Sequence, residues 1–320
     1  MMQLLVFKDQ LKKIYRQYSM FINPALKFGL TLISLFVINS QIGYYSLLGN
    51  IAVMVLISLA SILLPVSAIA LITSVVIVGN MYGLSLYSAA ATLIMFAAMY
   101  LIFFRFTPKS GIYLLIVPVL FILKVPFVVP IVAGIVSTPV AIIPMAMGLY
   151  LYFFINYAAV NGADLITLSA NDPLALIKNI ALEPVMDEAL WVMIIAFAAV
   201  TIAVYIIRRL AIDYPHYIAI AAGGALNIII VLIGSLKFDM GNHMSVAGIL
   251  VGGIVSIALA FAVDFFVLTV DYSRTEIVQY EDDDYYYYVK AVPKIKVTAP
   301  EVRVKRINAR RATGPDEGKK

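Results

Sequence analysis

Length, composition and charge set the class of this protein before any motif is considered. Its 320 residues are 63% hydrophobic and 13% charged, with a mean hydropathy of +0.98, whereas soluble domains carry about 45–50% apolar and about 25% charged residues. Cysteine is absent and there are two histidines, which excludes disulfides, iron–sulfur clusters and a histidine-based metal site. We therefore expect an all-α integral membrane protein without a cofactor. Its net charge of +5 indicates basic flanks of membrane helices, not nucleic-acid binding.

Residues 1–24 predict an amphipathic helix that lies in the headgroup plane. Leu4, Phe7, Leu11 and Ile14 recur at helical spacing, and lysines occupy the opposite side. A cytosolic helix packed on its own loops is the alternative. No apolar run with a small-residue cleavage site follows the first residues, so we expect an uncleaved signal in the first membrane helix.

Residues 25–270 predict a multi-pass domain, a helical bundle of about ten transmembrane helices. The apolar segments approach the roughly 20 residues that a bilayer crossing requires, and short linkers make them sequential neighbours. They lie at about 25–44, 47–64, 66–82, 84–104, 111–124, 126–138, 139–159, 189–207, 216–235 and 244–270.

The basic residues predict that both termini are cytoplasmic. With the N-terminus inside, the outer segments keep only Lys124, Lys178 and Lys237 of the 23 basic residues. The positive-inside rule predicts this asymmetry. The sequence thus indicates a protein of the cytoplasmic membrane, and the lipid bilayer is its expected partner.

The segment 111–138 leaves two topologies open. Its halves are short and carry Pro118, Pro126 and Pro130, so they form two short helices or a re-entrant hairpin, which reduces the count to eight spans. Lys124 lies at the join, either at the outer surface or at membrane depth, where broken helices bind substrates in transporters.

One long external connection, 161–188, separates the later spans. Asp172 and Pro173 predict an N-cap and first helical position, opening a short helix that ends before Glu183–Pro184. Asp187 and Glu188 then start the next span, which suits the helix dipole.

Two polar residues stand inside predicted spans. Placing the ionised side chain of Asp264 at the centre of a membrane helix costs on the order of 3 kcal/mol. We therefore interpret it as a proton or cation site, or as the partner of a buried base. The alternative is an acid near the interface that is satisfied by water or by Arg274. Asn227 follows two glycines and predicts a hydrogen bond to a neighbouring helix. His216 and His243 are interpreted as boundary residues.

The tail, 271–320, is acidic and tyrosine-rich, then basic. Four acids precede Tyr285, Tyr286, Tyr287 and Tyr288, and alternating stretches follow at 294–298 and 302–305, typical of strands. The end of the chain has a disordered composition. Residues 276–298 predict docking of a cytosolic protein by strand addition, with a solvated run or tyrosine phosphorylation as alternatives.

Several stretches carry a resemblance to a known family. NPALKFGLTLISLFVINSQIGYYSLL, RFTPKSG, IRRLAIDYPHYIAI and VDYSRTEIVQYEDDDYYYYVKAVPK resemble an uncharacterised family of polytopic membrane proteins of clostridial bacteria, sometimes labelled ABC-transporter permeases. The resemblance covers most of residues 1–298 and implies the cytoplasmic membrane of a Gram-positive cell. Without a GxxxxGK[ST] phosphate loop, the chain would be a membrane subunit at most.

Three functions follow as hypotheses. The first is a permease whose site includes Asp264, Lys124 and the broken helices. The second is a membrane scaffold that recruits a partner through its tail. The third is an integral-membrane enzyme acting on lipid-linked substrates, for which no catalytic group is predicted. The sequence leaves substrate, coupling ion and oligomeric state open.

Overall fold

The computed structural model describes residues 2–106, 110–210, 212–238, 244–267, 276–281 and 286–291. These residues fall into two compact units, one within 18–269 and the other drawn from 1–17 and 270–320. Five helices are long and apolar enough to cross a membrane, and they indicate a membrane protein, as the composition predicts. They lie at Gln10–Ile42, Pro139–Val160, Glu188–Ile207, Pro215–Lys237 and Val246–Phe266.

The described elements are almost all helical, which confirms the predicted all-α class. In chain order they are α1 (Met2–Ile42), α2 (Ile51–Ser61), α3 (Val66–Tyr82), α4 (Leu86–Phe106), α5 (Gly111–Ile122), α6 (Val128–Val136), α7 (Ile142–Val160), α8 (Gly162–Asn171), α9 (Pro173–Met186), α10 (Glu188–Ile207), α11 (Pro215–Lys237), α12 (Val246–Val267), β1 (Glu276–Glu281) and β2 (Tyr286–Ala291).

The helical stretch at the start of the chain, α1, is kinked. Its backbone is non-helical at Tyr18 (φ −113°, ψ 19°), which divides α1 into two helices. Pro24 lies inside the second of these helices, where its missing N–H removes one hydrogen bond. The break therefore lies within the predicted interfacial helix 1–24 and not at its predicted boundary with the span 25–44.

Three of the predicted spans contain only short helices. The segment 47–64 contains the 11 residues of α2, 111–124 the 12 residues of α5, and 126–138 the 9 residues of α6. At 1.5 Å per residue none of these helices reaches the roughly 30 Å of a hydrocarbon core. Asn50 sets the start of α2, since its side chain accepts a hydrogen bond from Ala52 N–H at 2.9 Å. The total number of crossings stays a prediction.

The connection 161–188 is more helical than predicted. Asp172 caps α9 by accepting hydrogen bonds from Leu174 and Ala175 N–H, each at 3.1 Å, with Pro173 first in the helix. That start was predicted correctly, but the predicted end was wrong, because α9 continues through Pro184 to Met186. The separate helix α8 was not predicted.

Helices α5 and α6 form a hairpin with its tip at Lys124. A Cβ on Gly148 of α7 would contact Val117 and Leu114 of α5. Further along both helices, Tyr152 and Ile155 share a cavity with Phe121 and Ile122. Residue numbers therefore rise in the same direction, and α5 and α7 run parallel. The chain then returns in α6, and at its end the hydroxyl oxygens of Ser137 and Tyr113 lie 2.6 Å apart in a hydrogen bond. The arms splay, because α5 packs on α3 and α7, and α6 packs on α10 and α12. Both ends of 111–138 therefore lie at the same end of the bundle.

Helices α10, α11 and α12 are sequential antiparallel neighbours. A Cβ on Gly223 would contact Val204 of α10, and a Cβ on Gly234 would contact Val192, so residue numbers rise in opposite directions along the pair. The same holds for α11 and α12, where Gly224 faces Ile257 and Gly253 faces Ile228. These glycines permit the close helix approach that the sequence predicts.

The smaller unit contains an antiparallel pair of strands. β1 and β2 pair from Glu276↔Ala291 to Glu281↔Tyr286, and Gln279 lies opposite Tyr288. The predicted strand-like stretches at 294–298 and 302–305 lie outside the described residues. The strands are instead formed by the segment around the acidic and tyrosine-rich run.

Candidate functional site

Asp264 is buried and contacts a histidine that we interpreted as a boundary residue. Its carboxyl is about nineteen-twentieths buried, and Oδ1 lies 3.6 Å from His216 Nδ1. Asp264 occupies the last turn of α12, and His216 the first turn of α11. The antiparallel pairing of the two helices brings these positions to the same level. His216 is 39% exposed, although its Nδ1 atom, which faces the carboxylate, is buried.

The middle of the α11–α12 interface holds polar groups without partners. Asn227 and Ser256 are fully buried, and neither the amide atoms of Asn227 nor Ser256 Oγ has a hydrogen-bond partner among the described residues. Since Gly224 faces Ile257, Ser256 and Asn227 lie about 3 Å apart along the helix axes. The interhelical hydrogen bond expected of Asn227 is therefore not present within the described part of the chain.

The buried residues of α12 include a row of small and polar side chains. We call it the α12 row; it consists of every fourth residue, Gly248, Gly252, Ser256, Ala260 and Asp264. Such i+4 rows form the ridges along which helices pack. All of its members except Gly248 are buried, and it faces α6 and α11. The row connects the level of Lys124 with that of His216.

Lys124 is held in an unusual backbone conformation at the hairpin tip. Its φ of 61° is left-handed, a conformation that costs a non-glycine residue about 1–2 kcal/mol. Its carbonyl oxygen would lie 2.8 Å from a Cβ on Gly252, so only glycine lets α12 approach the tip this closely. The side chain is exposed, and within the described residues it makes no hydrogen bond or ion pair.

A cavity of 270 Å³ opens beside Lys124. Lys124 is the one charged residue among the described residues that line it. The lining also includes Gln41, Phe121, Tyr152, Asn156, Ser245 and Gly248. Phe121 and Tyr152 stack with ring centroids 4.4 Å apart. The cavity thus combines one cation, several amide and hydroxyl groups and an aromatic wall.

A second cavity, of 410 Å³, lies on the neighbouring face of α7. Asn156 lines both cavities, but here the charged residues are Glu183 and Asp187. Asp187 also caps α10, because it accepts a hydrogen bond from Ala189 N–H at 2.9 Å. The end of the bundle that contains Lys124 therefore carries a basic and an acidic cavity side by side.

The three prolines have different positions around the hairpin. Pro118 lies inside α5, Pro126 lies between the helices, and Pro130 lies inside α6. The carbonyl of Pro130 accepts a hydrogen bond from Thr201 of α10 at 3.3 Å. Only Pro126 therefore lies at a break between helices, because α5 continues through Pro118 and Pro130 lies in the first turn of α6. Helix α10 satisfies the Pro130 carbonyl.

Basic residues hold the opposite end of the bundle together. Arg208, at the end of α10, donates to the Ser137 carbonyl at 2.9 Å, and Lys27 donates to the Leu64 carbonyl at 2.7 Å. Burial lowers the pKa of the Arg208 guanidinium, and neighbouring Arg209 lowers it further. We call this the Asp264 end, and the other the Lys124 end.

The tyrosine run is exposed where the structure describes it. Tyr286 and Tyr288 are 68% and 70% exposed on β2, and Tyr287 is half-exposed. Tyr285 lies outside the described residues, as do His243 and Arg274.

The structure therefore assembles the predicted residues only in part. Lys124 and Asp264 lie at opposite ends of the α12 row, and Asn227 lies beside its middle. His216 and Ser256 were missed; the signal for Ser256 was its four-residue spacing from Gly252 and Ala260. Among the described residues, no three His, Asp or Glu side chains come together to hold a metal ion.

Comparisons with known proteins identify no relative. The chain matches no protein-family model, no curated protein and no solved structure. The functional argument therefore rests on the geometry of the site.

Proposed function

We propose that this protein is a membrane transport protein, a permease or permease subunit, whose path follows the α12 row. The observation that carries the proposal is the continuity of this row. It begins at Gly248 beside the Lys124 cavity and ends at the buried Asp264–His216 pair. Small residues let neighbouring helices approach α12 closely, and broken helices near such a row are typical of transporters.

The buried polar groups beside this row support the same function. An unpaired amide in an apolar interior costs roughly 2–7 kcal/mol, and in a membrane no lipid can compensate for it. Asn227 and Ser256 together present an amide and a hydroxyl at one level. We infer that they contact the transported solute or the water that accompanies it.

Asp264 and His216 serve as the proton or cation site of this path. The Asp264 carboxylate and the His216 imidazole lie 3.6 Å apart, and His216 is partly exposed while Asp264 is buried. Intramembrane acids commonly form such relays in pumps and transporters.

The proposed topology places the Asp264 end in the cytoplasm. Lys27, Arg208 and Arg209 at that end satisfy the positive-inside rule, and both termini are then cytoplasmic. The chain crosses the membrane ten times, or eight times with the 111–138 hairpin entering and leaving on the cytoplasmic side.

Uptake into proteoliposomes tests the transport function. Purified full-length protein is reconstituted, and uptake of labelled organic anions, amino acids and sugars is measured under an imposed pH gradient. We expect Asp264→Asn to abolish uptake while keeping the protein folded, because the amide cannot accept or release a proton. Asp213→Asn is the matched control, since Asp213 is an exposed acid in the α10–α11 connection. If wild-type vesicles take up none of these solutes faster than protein-free vesicles, the proposal is rejected.

A second candidate function is a scaffold that docks a cytosolic protein. The exposed tyrosines of β2 favour it, because aromatic side chains on a strand suit β-strand addition and are enriched at interface hot spots. Deletion of 276–298 should then remove specific partners from a pull-down, and Tyr286→Ser with Tyr288→Ser should weaken the same interactions. An unchanged partner set would contradict docking through this strand.

A further inference from the structure

The cavity at the hairpin tip has the electrostatics of an anion site. Lys124 contributes its only charge among the described lining residues, and no described carboxylate neutralises that charge. An ammonium group that is exposed to a cavity and lacks a counter-ion attracts negative ligands. The acids of this end of the bundle, Glu183 and Asp187, line the separate neighbouring cavity.

The start of α12 adds a second positive contribution. Ser245 and Gly248 line the cavity, and Ser245 Oγ caps the helix by accepting from Gly248 N–H at 3.1 Å. The 22 residues of α12 direct the positive end of the helix dipole towards the cavity. The Gln41 amide, which also lines the cavity, can donate hydrogen bonds to oxygen atoms of a ligand.

The position of the Lys124 backbone is fixed from two sides. Its N–H donates to the Phe121 carbonyl at 3.0 Å, and its carbonyl lies against Gly252 of α12. A second bond, from Val125 N–H to the Leu120 carbonyl at 2.9 Å, completes the left-handed C-cap of α5. Here it fixes the point from which the ammonium group extends beside the cavity.

We propose that this cavity binds a small organic anion, a carboxylate with an aromatic or branched apolar body. Lys124 and the α12 N-terminus contact the carboxylate, and the stacked Phe121 and Tyr152 contact the apolar body. The volume of 270 Å³ lies at the small end of ligand pockets and excludes a macromolecule. The assignment of this ligand as the transported substrate rests on the proposed function; binding itself does not.

Calorimetric binding of benzoate to the purified full-length protein tests the site. We expect wild type to bind benzoate and Lys124→Asn to bind it about tenfold or more weakly. Asparagine tolerates the left-handed conformation, so this variant removes the charge without straining the tip. Lys124→Arg should retain binding, and so should Lys178→Asn, which removes an exposed lysine of α9 at the same end of the bundle. Equal binding by wild type and Lys124→Asn, or equal binding of benzylammonium and benzoate, would overturn the proposal.

An anionic lipid headgroup could present the same negative charge, and the membrane composition distinguishes it from a free anion. In nanodiscs of phosphatidylcholine we expect benzoate to bind as in detergent, and in phosphatidylglycerol nanodiscs to bind equally well. Binding lost only in phosphatidylglycerol would overturn the free carboxylate in favour of the lipid. If benzoate binds but no solute is taken up, the transport function is rejected and the anion site at Lys124 is kept. If a solute is taken up but benzoate binding does not depend on Lys124, only the anion site is rejected.

Discussion

At the scale of residues, two positions combine unusual backbone with functional placement. Lys124 and Tyr214 are the non-glycine residues with positive φ in the described part of the chain, at 61° and 56°. One forms the hairpin tip beside the cavity, and the other precedes His216 by two residues. Both conformations lie at helix ends, since Lys124 directly follows the C-cap of α5 and Tyr214 is the N-cap of α11. Neither conformation was predictable, because the surrounding residues carry no glycine or asparagine signal.

Gly252 is the residue on which the contact between tip and α12 depends. A methyl group there would lie 2.8 Å from the Lys124 carbonyl oxygen, and backbone cannot move aside as a side chain can. We expect Gly252→Ala to destabilise the protein by about 1–3 kcal/mol, the range for overpacking, although alanine favours helix. The midpoint of thermal unfolding in detergent, followed by the fluorescence of the single tryptophan, Trp191, measures it.

Gly248→Ala is the control for this substitution, one turn earlier on the same helix. A methyl group at Gly248 would meet only Ser245 Oγ, at 3.2 Å. Its unfolding midpoint should equal or slightly exceed that of wild type. If both variants unfold at the wild-type midpoint, the Lys124 carbonyl does not pack closely against Gly252 of α12.

At the scale of elements, apolar composition predicted where helices occur better than where they end. Continuous apolar runs placed α3, α4, α7, α10 and α11 within a few residues. The runs at 47–64 and 126–138 failed, because a hydrophobic stretch does not show where capping at Asn50 or an interruption near Pro126 stops a helix. Within lipid-like surroundings, hydrophobicity selects the segment, while caps and prolines select its bounds.

The paired strands show a different failure of prediction. Strands are recognised by alternation of polar and apolar residues, and the run of four tyrosines hides that alternation in β2. The acids between the two strands resembled a solvated run. Only pairing, with Tyr288 opposite Gln279 and Tyr287 opposite Tyr280, identifies the segment as a strand, and pairing is not a local property.

The sequence predicted the charged residues of the candidate site, but not the residues around them. Asp264 and Lys124 stand out because charge in an apolar segment is costly. His216 did not, because its meaning depends on which helix lies opposite, and the sequence alone does not give the pairing of α11 with α12. Ser256 is an ordinary residue in a membrane helix until its neighbours are known.

At the scale of the whole molecule, the two ends of the bundle differ in charge. Lys27, Arg208 and Arg209 lie at the Asp264 end, while Asp172, Glu183 and Asp187 lie at the Lys124 end. A bilayer between these ends would separate them into cytoplasmic and external faces. The proposed topology, with the Asp264 end in the cytoplasm and the Lys124 cavity outside, depends on this separation.

Single cysteines test the separation, because the natural chain contains none. Ala170→Cys places a thiol on exposed α8 at the Lys124 end, and Asp213→Cys places one in the exposed α10–α11 connection at the Asp264 end. In intact cells stripped of their wall, a membrane-impermeant maleimide should label Ala170→Cys and should label Asp213→Cys only after permeabilisation. The cysteine-free parent gives the background. The reverse pattern would invert the topology and make the Lys124 cavity cytoplasmic, and labelling of both thiols in intact cells would remove the membrane from between them.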